Sequence, residues 1–324
     1  MQQAIPPPTE GTQKAKTKTS GSNDLIKQQQ MWGWFFLSPW IIGFLAFTIV
    51  PMIASLVFSF MEFNLARPDE IQWIGLDNYR NLFTDPLFGV SLAVTFRFAI
   101  ISLPIGMILP IAIAALMNSE YLIGKRFFRT LFYMPYIVPI VSAVYIWQGM
   151  LGTETGWINR VLAWWFGIEG PRWLDSTTWI YPALVIMGLW GIGNAYLITL
   201  ASMQGVPTQL YEAAKVDGAT ALRRFYSITL PMISPVVFFN LILSVIGLLR
   251  YFEVPFILKQ GTGQPGQSTL FYNIHFYKTT FVFLDMGYGS TLAWVLFAIT
   301  MVLTVLLFAT ARYWVYYASE ENVF

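Results

Sequence analysis

The sequence predicts an all-α membrane protein with six transmembrane helices, and its composition and charge distribution support that prediction. Of the 324 residues, 56% are hydrophobic and only 11% are charged, whereas soluble domains carry about 25% charged residues. The net charge of +2 provides no basic field that would favour nucleic acid. The absence of cysteine excludes disulfides and thiolate metal sites, and a single histidine gives little scope for a metal cluster or a histidine-based triad.

Six long stretches without Asp, Glu, Lys or Arg predict the spans. These charge-free stretches are 28–61, 98–119, 130–153, 176–211, 225–249 and 286–311. A spanning helix needs about 20 mostly apolar residues, and a charge at its centre costs roughly 2.5–3.5 kcal/mol. We therefore expect helices near 34–61, 92–118, 130–151, 179–203, 227–250 and 288–314. A soluble helical protein is the alternative, but its helices would need polar outer faces, which these stretches lack.

A seventh charge-free run, 260–277, is rejected as a span. It begins with QGTGQPGQST, and such a turn-rich segment would leave backbone groups unsatisfied in lipid. The Lys and Arg residues between the spans predict the orientation: with both termini in the cytoplasm, eleven lie inside and six outside. We expect a disordered cytoplasmic tail at 1–30, a membrane domain at 31–317 and a cytoplasmic C-terminal end at 318–324.

Thirteen tryptophans are a further feature of the chain, and five of them lie between residues 157 and 179. Tryptophan prefers the membrane–water interface, which predicts an aromatic belt with 157–167 as a short helix on the outer surface. The alternative is a platform that stacks on a sugar ring or docks a protein. The sequence leaves both interpretations open.

The loop between spans four and five, residues 206–235, contains the densest charge cluster of the membrane domain. Thr208 is a predicted helix N-cap. Leu210, Ala213 and Ala214 follow at helical spacing and form one apolar face of small residues. Asp217–Gly218 is a turn signal, and a second short helix is expected at 219–227. The alternative is an ordinary loop that only reverses the chain.

The run EAAKVDGA at 212–219, followed by Phe225, Ile228, Leu230–Pro231 and Pro235, resembles the EAA loop of binding-protein-dependent ABC importer permeases. The segments at 36–60, 73–83, 127–139 and 269–297 are similar to the carbohydrate-uptake branch, which includes maltose, multiple-sugar and glycerol-phosphate permeases. Within that branch the chain is most similar to the first of the two permease partners. The resemblance covers roughly residues 31–317.

This resemblance implies a type I ABC importer permease in the cytoplasmic membrane of a prokaryote, with a coupling helix that inserts into an ATP-binding subunit. The implied partners are a second homologous permease, two ATP-binding cassette subunits, an extracytoplasmic solute-binding protein, a sugar and membrane lipid. The implied coupling residues are Glu212, Ala213, Ala214, Asp217 and Gly218.

The chain is not expected to be an enzyme. Its one Gly–Lys pair, Gly124–Lys125, lacks the upstream glycine and the following Ser or Thr of a phosphate-binding loop. We expect no catalytic residues, no metal site and no cofactor in this chain, with ATP and magnesium bound by the partner subunits.

Polar side chains within the spans are candidates for the substrate path. The candidates are Tyr145, Gln148, Asn194, Asn240, Ser244 and Tyr251. Amide, hydroxyl and aromatic groups suit a sugar, although the same residues could serve helix–helix packing. An ion-coupled secondary transporter is an alternative that would usually need a buried acid or histidine in a span. A permease for a non-sugar solute such as glycerol phosphate is another.

Overall fold

The structure is a computed structural model that describes residues 20–317. Residues 1–19 of the predicted tail and the predicted C-terminal end at 318–324 lie outside the described residues. The first helix begins at Ser20, so residues 20–30, predicted as disordered, are helical instead. Leu, Ile, Lys and Gln in this stretch have good helix propensities. Because the helix continues into an apolar segment, these residues extend it without the cost of a new nucleus.

The chain divides into two compact units, one up to Ser55 and one from Leu56 onward. The helices that begin before Ser55 are α1 (Ser20–Phe44) and α2 (Val50–Phe58). Those that follow are α3 (Asp77–Asn81), α4 (Pro86–Asn118), α5 (Lys125–Tyr133), α6 (Ile140–Leu151), α7 (Trp157–Phe166), α8 (Ile180–Trp190), α9 (Gly193–Gln204), α10 (Thr208–Val216), α11 (Ala221–Arg224), α12 (Leu230–Met232), α13 (Ser234–Leu249), α14 (Glu253–Lys259), α15 (Tyr272–Tyr277) and α16 (Met286–Ala311).

The remaining regular structure is short. Three-residue to five-residue 3₁₀ or π turns lie at Leu45–Ile49, Pro68–Glu70, Met134–Ile137, Phe225–Thr229 and Lys278–Val282. One antiparallel pair joins β1 (Met61–Glu62) to β2 (Gln72–Trp73), with Met61 opposite Trp73. The predicted all-α class is therefore correct, and its exceptions in residues 20–317 are this small hairpin and one isolated bridge between Asn64 and Asp285.

Every predicted span corresponds to a helix or to a bent pair of helices. The four continuous apolar segments long enough to cross a membrane are Leu25–Phe58, Pro86–Asn118, Ser234–Lys259 and Met286–Ala311. The third and fourth spans, predicted as continuous, are broken. Lys125–Ile137 meets Ile140–Leu151 at 103°, and Ile180–Trp190 meets Gly193–Gln204 at 54°.

A proline and glycines lie at the two breaks. Pro139 precedes α6 with an extended backbone and cannot donate the hydrogen bond that a continuous helix would need. Gly193 begins α9, and a Cβ atom there would lie 2.9 Å from the carbonyl oxygen of Phe132 and 3.0 Å from the Cα of Tyr133. The absence of a side chain at Gly193 therefore lets the backbones of spans three and four approach closely at the bend.

The interior of the second unit is organised around α4, which packs against α9 and α13. Asp85 begins α4 earlier than predicted because its side chain accepts a hydrogen bond from the Leu87 amide at 2.8 Å and Pro86 fits the first helical position. One buried cluster includes Phe98, Leu184 and Phe271, near the beginning of α4. A second includes Met117 and Met203, where α4 and α9 end.

The segment between spans five and six confirms the rejection of 260–277 as a span, since no membrane-length helix of the described chain includes it. Gly263 has a φ of +80° within a series of turns before α15, a conformation that favours glycine. The predicted short helix at 157–167 is also confirmed as α7 (Trp157–Phe166). Its Trp164 and Trp165 are 88% and 77% exposed.

Candidate functional site

A cavity of about 240 Å³ lies between α4, α9 and α13 in the membrane-spanning part of the second unit. Three of the six predicted substrate-path residues line it: Asn194, Asn240 and Ser244. They come from two spans separated in sequence by the loop 206–235. Asn194 lies in the first turn of α9, directly after the break, and Gly106 of α4 leaves room opposite because it has no side chain.

The polar groups of the cavity are only partly satisfied by one another. Asn240 Nδ2 donates to Thr199 Oγ1 at 3.5 Å, which is a long and weak hydrogen bond. Ser244 Oγ lies 3.9 Å from the sulfur of Met107. Asn194 is exposed, and we find no hydrogen-bond partner for its amide within residues 20–317. These amide and hydroxyl groups therefore keep donors and acceptors that a ligand could use.

The cavity lining contains no Asp, Glu, Lys, Arg or His among the described residues. A few hydrogen-bonding groups set among apolar side chains are typical of small-molecule sites. Such a lining can match the hydroxyl groups of a sugar, but it offers no charge to hold an ion or a phosphate.

The structure places the other three predicted path residues elsewhere. Tyr145 and Gln148 lie three residues apart on α6, both exposed, and Tyr145 is 61% exposed. Tyr251 packs in an aromatic group. Its ring stacks on Phe98 with 4.9 Å between ring centroids, and it lies edge-on to Phe271 with 5.1 Å between centroids. None of the three lines the cavity, and their role in a path stays a prediction.

Sequence reasoning missed Met107 and Thr199, which also line the cavity. Methionine in an apolar helix carries no signal that separates it from ordinary packing. Thr199 bonds the carbonyl of Ala195 within its own helix at 2.7 Å, as threonine in a spanning helix commonly does. Only the tertiary arrangement of α4, α9 and α13 identifies these two positions.

The loop 206–235 has the two-helix form that was predicted for it. Helix α10 ends at Val216 and is followed by Asp217 and Gly218, whose φ is +76°. The Gly218 amide donates to the Lys215 carbonyl at 3.1 Å, and the Ala219 amide donates to the Ala214 carbonyl at 2.9 Å. This pair of bonds forms a Schellman motif, so the turn predicted at Asp217–Gly218 is confirmed.

Two details of the loop differ from the prediction. Pro207, not Thr208, occupies the N-cap position of α10, and Thr208 is the first helical residue. Proline's fixed φ suits the entry to a helix but leaves the cap without a side-chain bond. The second helix begins at Ala221 rather than 219, because Thr220 Oγ1 accepts a hydrogen bond from the Arg223 amide at 3.3 Å and caps it.

The predicted coupling residues lie at the surface of α10 and the turn after it. Glu212, Ala213, Asp217 and Gly218 are exposed, and Ala214 is half-buried. Val216 is 88% exposed. The helix thus presents small and apolar residues next to charged ones to the outside of this chain, an arrangement that a protein partner could cover.

Two side-chain contacts attach α10 to the rest of the chain. Tyr211 and Thr229 share a hydrogen bond at 2.9 Å between their hydroxyl oxygens. Lys215 Nζ lies 3.5 Å from Glu120 Oε1 in the segment after α4. Both partners of that ion pair are substantially exposed, so it contributes little to stability, and the hydroxyl pair is the firmer attachment.

The opposite end of α4 is held by a carboxylate. Asp85 Oδ2 accepts from the Tyr288 hydroxyl at 2.8 Å and lies 2.9 Å from His275 Nε2. Burial raises the pKa of Asp85, but the hydrogen bonds from Tyr288 and Leu87 and the charge of His275 outweigh it, so the pKa falls below its usual value. Burial also lowers the pKa of His275, against the opposing effect of Asp85.

A second carboxylate, Asp175, joins three segments. Lys259 Nζ lies 2.8 Å from Asp175 Oδ1, and Thr153 Oγ1 donates to Asp175 Oδ2 at 3.1 Å. The hydrogen bond from Lys259 lowers the pKa of Asp175. These contacts tie the end of α14 to the segments that flank α7.

The membrane-length helices and the neutral polar cavity between three of them place the chain in the class of membrane transport proteins. Residues 106–323 match the family of binding-protein-dependent transport system inner membrane components, and the chain belongs to this family. It is a multi-pass membrane protein. The sequence resemblance to such permeases is thereby confirmed.

Named relatives and a solved structure agree with this assignment. The probable ABC transporter permease YesP of Bacillus subtilis (strain 168) is 37% identical over 300 residues, covering 92% of this chain and 96% of its own. The lactose transport system permease LacF of Rhizobium radiobacter is 30% identical and covers 91% of this chain and 98% of its own. A crystal structure of a bacterial ABC transporter involved in import of the acidic polysaccharide alginate has a TM-score of 0.77 at 25% identity, covering 90% of this chain and 98% of that one. The fold is that of a type I ABC importer permease.

Proposed function

We propose that this chain is a permease subunit of an ATP-driven, binding-protein-dependent importer of a neutral sugar, and that it forms half of the translocation path. The observation that carries the proposal is the uncharged cavity with Asn194, Asn240 and Ser244 in a chain of this family. The lactose permease LacF among its relatives supports a saccharide as substrate.

The loop 206–235 is the proposed contact with an ATP-binding subunit. Glu212, Ala213, Ala214, Asp217 and Gly218 would enter a cleft on that subunit, so that closure of the ATPase dimer pulls on α10. The hydrogen bond between Tyr211 and Thr229 passes the displacement towards span five. ATP and magnesium would be bound by the partner subunits, and this chain would supply no catalytic group.

The full assembly would contain a second permease, two ATP-binding subunits and an extracytoplasmic solute-binding protein. Both termini of this chain would face the cytoplasm of a prokaryotic cell, because that orientation places more Lys and Arg inside. The outer carboxylates Asp85 and Asp175 would then lie on the side from which the binding protein delivers its solute.

Two alternatives are less well supported by the cavity. An anionic solute such as glycerol phosphate would be expected to meet a cation, and no Lys or Arg of the described chain lines the cavity. An ion-coupled secondary transporter would be expected to carry an acidic residue or a histidine there. The family assignment also favours ATP-driven transport.

The proposal is tested by uptake into vesicles that contain the complete transporter. Sugar accumulation should require ATP on the side of loop 206–235 and should not depend on an ion gradient. Asn194→Ala and Asn240→Ala should each raise the KM for the sugar roughly 2–10-fold, because one hydrogen bond contributes about 0.5–1.5 kcal/mol. The matched control is Asn81→Ala, an exposed asparagine on α3 outside the cavity.

Accumulation without ATP would overturn the ATP-driven mechanism. An unchanged KM in both cavity variants would instead show that the path lies elsewhere. Sugar uptake that is unaffected by an excess of glycerol phosphate would support the neutral-solute assignment, whereas efficient uptake of the phosphate itself would contradict it.

A further inference from the structure

Helix α5 has a cationic face that the proposed function leaves without a role. The cationic face consists of Lys125, Arg126 and Arg129. At 100° per residue these three positions span about 100° of the helix circumference. None of them forms an ion pair within residues 20–317, and the Arg129 Nε is buried there without a hydrogen-bond partner. The face therefore carries uncompensated positive charge.

The other side of α5 is apolar and opens onto a groove. Phe127 and Met134 are 67% and 58% exposed. Leu131 and Met134 line a groove of about 420 Å³, together with Leu109 of α4 and Trp190 of α8. All side chains that line the groove are apolar, and its volume is within the range of small-ligand sites.

The position of α5 along the spans is fixed by its inner face. Phe128 and Phe132 pack on the cluster that includes Met117 and Met203, where α4 and α9 end. The 103° bend after Ile137 turns α5 sharply away from the axis of α6. A helix with its basic residues at the beginning keeps those cations at the headgroup level while its apolar side extends into the membrane.

The two features are close enough for one amphipathic molecule to reach both. Arg126 and Leu131 are five residues apart, which is about 7–8 Å along the helix axis and about 140° around it, and the exposed Phe127 lies between them on the helix surface. We infer that α5 and its groove bind one anionic phospholipid, with the headgroup at Lys125 and Arg126 and an acyl chain in the groove beside Leu131 and Trp190. Basic sites between spanning helices on the cytoplasmic side bind anionic headgroups in this way.

The inference rests on the proposed function in one respect, the leaflet from which the lipid binds. The N-in orientation places the beginning of α5 at the cytoplasmic surface. Lipid binding itself requires neither ATP nor sugar. A binding measurement in nanodiscs, where both leaflets have the same composition, therefore succeeds or fails independently of transport.

Trp190 provides a probe within the groove, because bromine atoms on an acyl chain quench tryptophan fluorescence on contact. The complete transporter is placed in nanodiscs with increasing fractions of brominated phosphatidylglycerol or brominated phosphatidylcholine. The quenching that is lost in Trp190→Phe reports the groove alone. We expect phosphatidylglycerol to quench this component at a lower mole fraction than phosphatidylcholine, and high salt to reduce the difference.

The headgroup contact is tested with Lys125→Gln/Arg126→Gln. Each surface cation near anionic lipid contributes about fivefold to binding, so the double variant should lose roughly thirtyfold of the preference for phosphatidylglycerol. The matched control is Arg67→Gln/Arg80→Gln, which makes the same change in charge at two other exposed arginines and should keep the preference.

Three outcomes would overturn the inference. Equal quenching by both lipids would remove the headgroup specificity. Quenching that is unchanged in Trp190→Phe would place the lipid outside the groove. An absence of Trp190 quenching with either lipid would mean that a partner subunit covers the groove instead.

Discussion

The membrane cavity and the loop 206–235 are built in opposite ways. The cavity takes its polar groups from α9 and α13 and its free space from Gly106 on α4, so side chains far apart in sequence must come together. The loop takes its form from neighbouring residues, since Gly218, Lys215 and Ala214 close α10 by themselves. A tertiary site therefore depends on how closely backbones approach, whereas a local motif depends on the conformation of one residue.

The largest effect is expected at the close backbone contact between span three and α9, the helix that carries Asn194. Gly193→Ala would place a Cβ atom 2.9 Å from the Phe132 carbonyl oxygen and 3.0 Å from the Tyr133 Cα. Because these are backbone atoms, the broken spans must move apart. We expect the free energy of unfolding to fall by about 1–3 kcal/mol. Thermal unfolding of the purified transporter in detergent measures the loss.

Gly188→Ala is the matched control for this prediction, since a Cβ atom there has no neighbour within 4 Å. The same substitution in helix α8 should be neutral or should stabilise by up to about 1 kcal/mol. Equal unfolding temperatures for the two variants would mean that spans three and four are not held together at Gly193.

A substitution at Gly218 in the loop should act through backbone conformation rather than through steric contact of the new side chain. A Cβ atom at Gly218 has no neighbour within 4 Å, but φ there is +76°, and an ordinary residue in the left-handed region costs roughly 1–2 kcal/mol. We expect Gly218→Ala to lower sugar uptake per ATP hydrolysed several-fold with little change in assembly. Uptake and ATP hydrolysis are measured in parallel in vesicles.

Gly218→Asn separates conformation from side-chain size, because asparagine tolerates the left-handed region better than alanine. This variant should keep most of the coupling although its side chain is larger. If Gly218→Asn were as uncoupled as Gly218→Ala, crowding against the ATP-binding subunit would explain the defect instead of the turn.

The contrast between the two regions also explains how far the sequence could be interpreted. Charge-free stretches identify spans reliably because a charge in lipid is costly, and all six were located. The breaks at Pro139 and Gly193 were missed, since both residues also occur inside spanning helices. In the loop, Asp217–Gly218 predicted the turn correctly because the left-handed conformation is a property of one residue.

The candidate site could be predicted only in part. Asn194, Asn240 and Ser244 stand out as polar residues in spans, and the fold brings them into one cavity. Tyr145 and Tyr251 have the same signal, but Tyr145 faces outward and Tyr251 stacks on Phe98. Polarity within a span marks a residue as a candidate, whereas the face of the helix on which it lies depends on tertiary packing.

The smallest expected effect concerns Asp85 and His275 at the beginning of α4, which belong neither to the cavity nor to the loop 206–235. His275 is the single histidine of the chain, and burial lowers its pKa below 6.5 in the folded protein. Just below pH 6.5 the unfolded chain therefore binds a proton that the folded chain does not. Stability should fall as the pH drops through 6.5 and level off below the folded pKa of His275.

Asp85 contributes in a separate window. Its pKa lies below 3.8 in the folded protein because the hydrogen bonds from Tyr288 and Leu87 and the charge of His275 outweigh burial, so its stabilisation is present above pH 3.8 and is lost in stronger acid. Unfolding temperatures across the pH range should thus show two steps, the lower of which is shared with Asp175, whose pKa is also lowered. His275→Gln should remove the upper step and leave the lower one. If the upper step persists in this variant, a group other than His275 causes it.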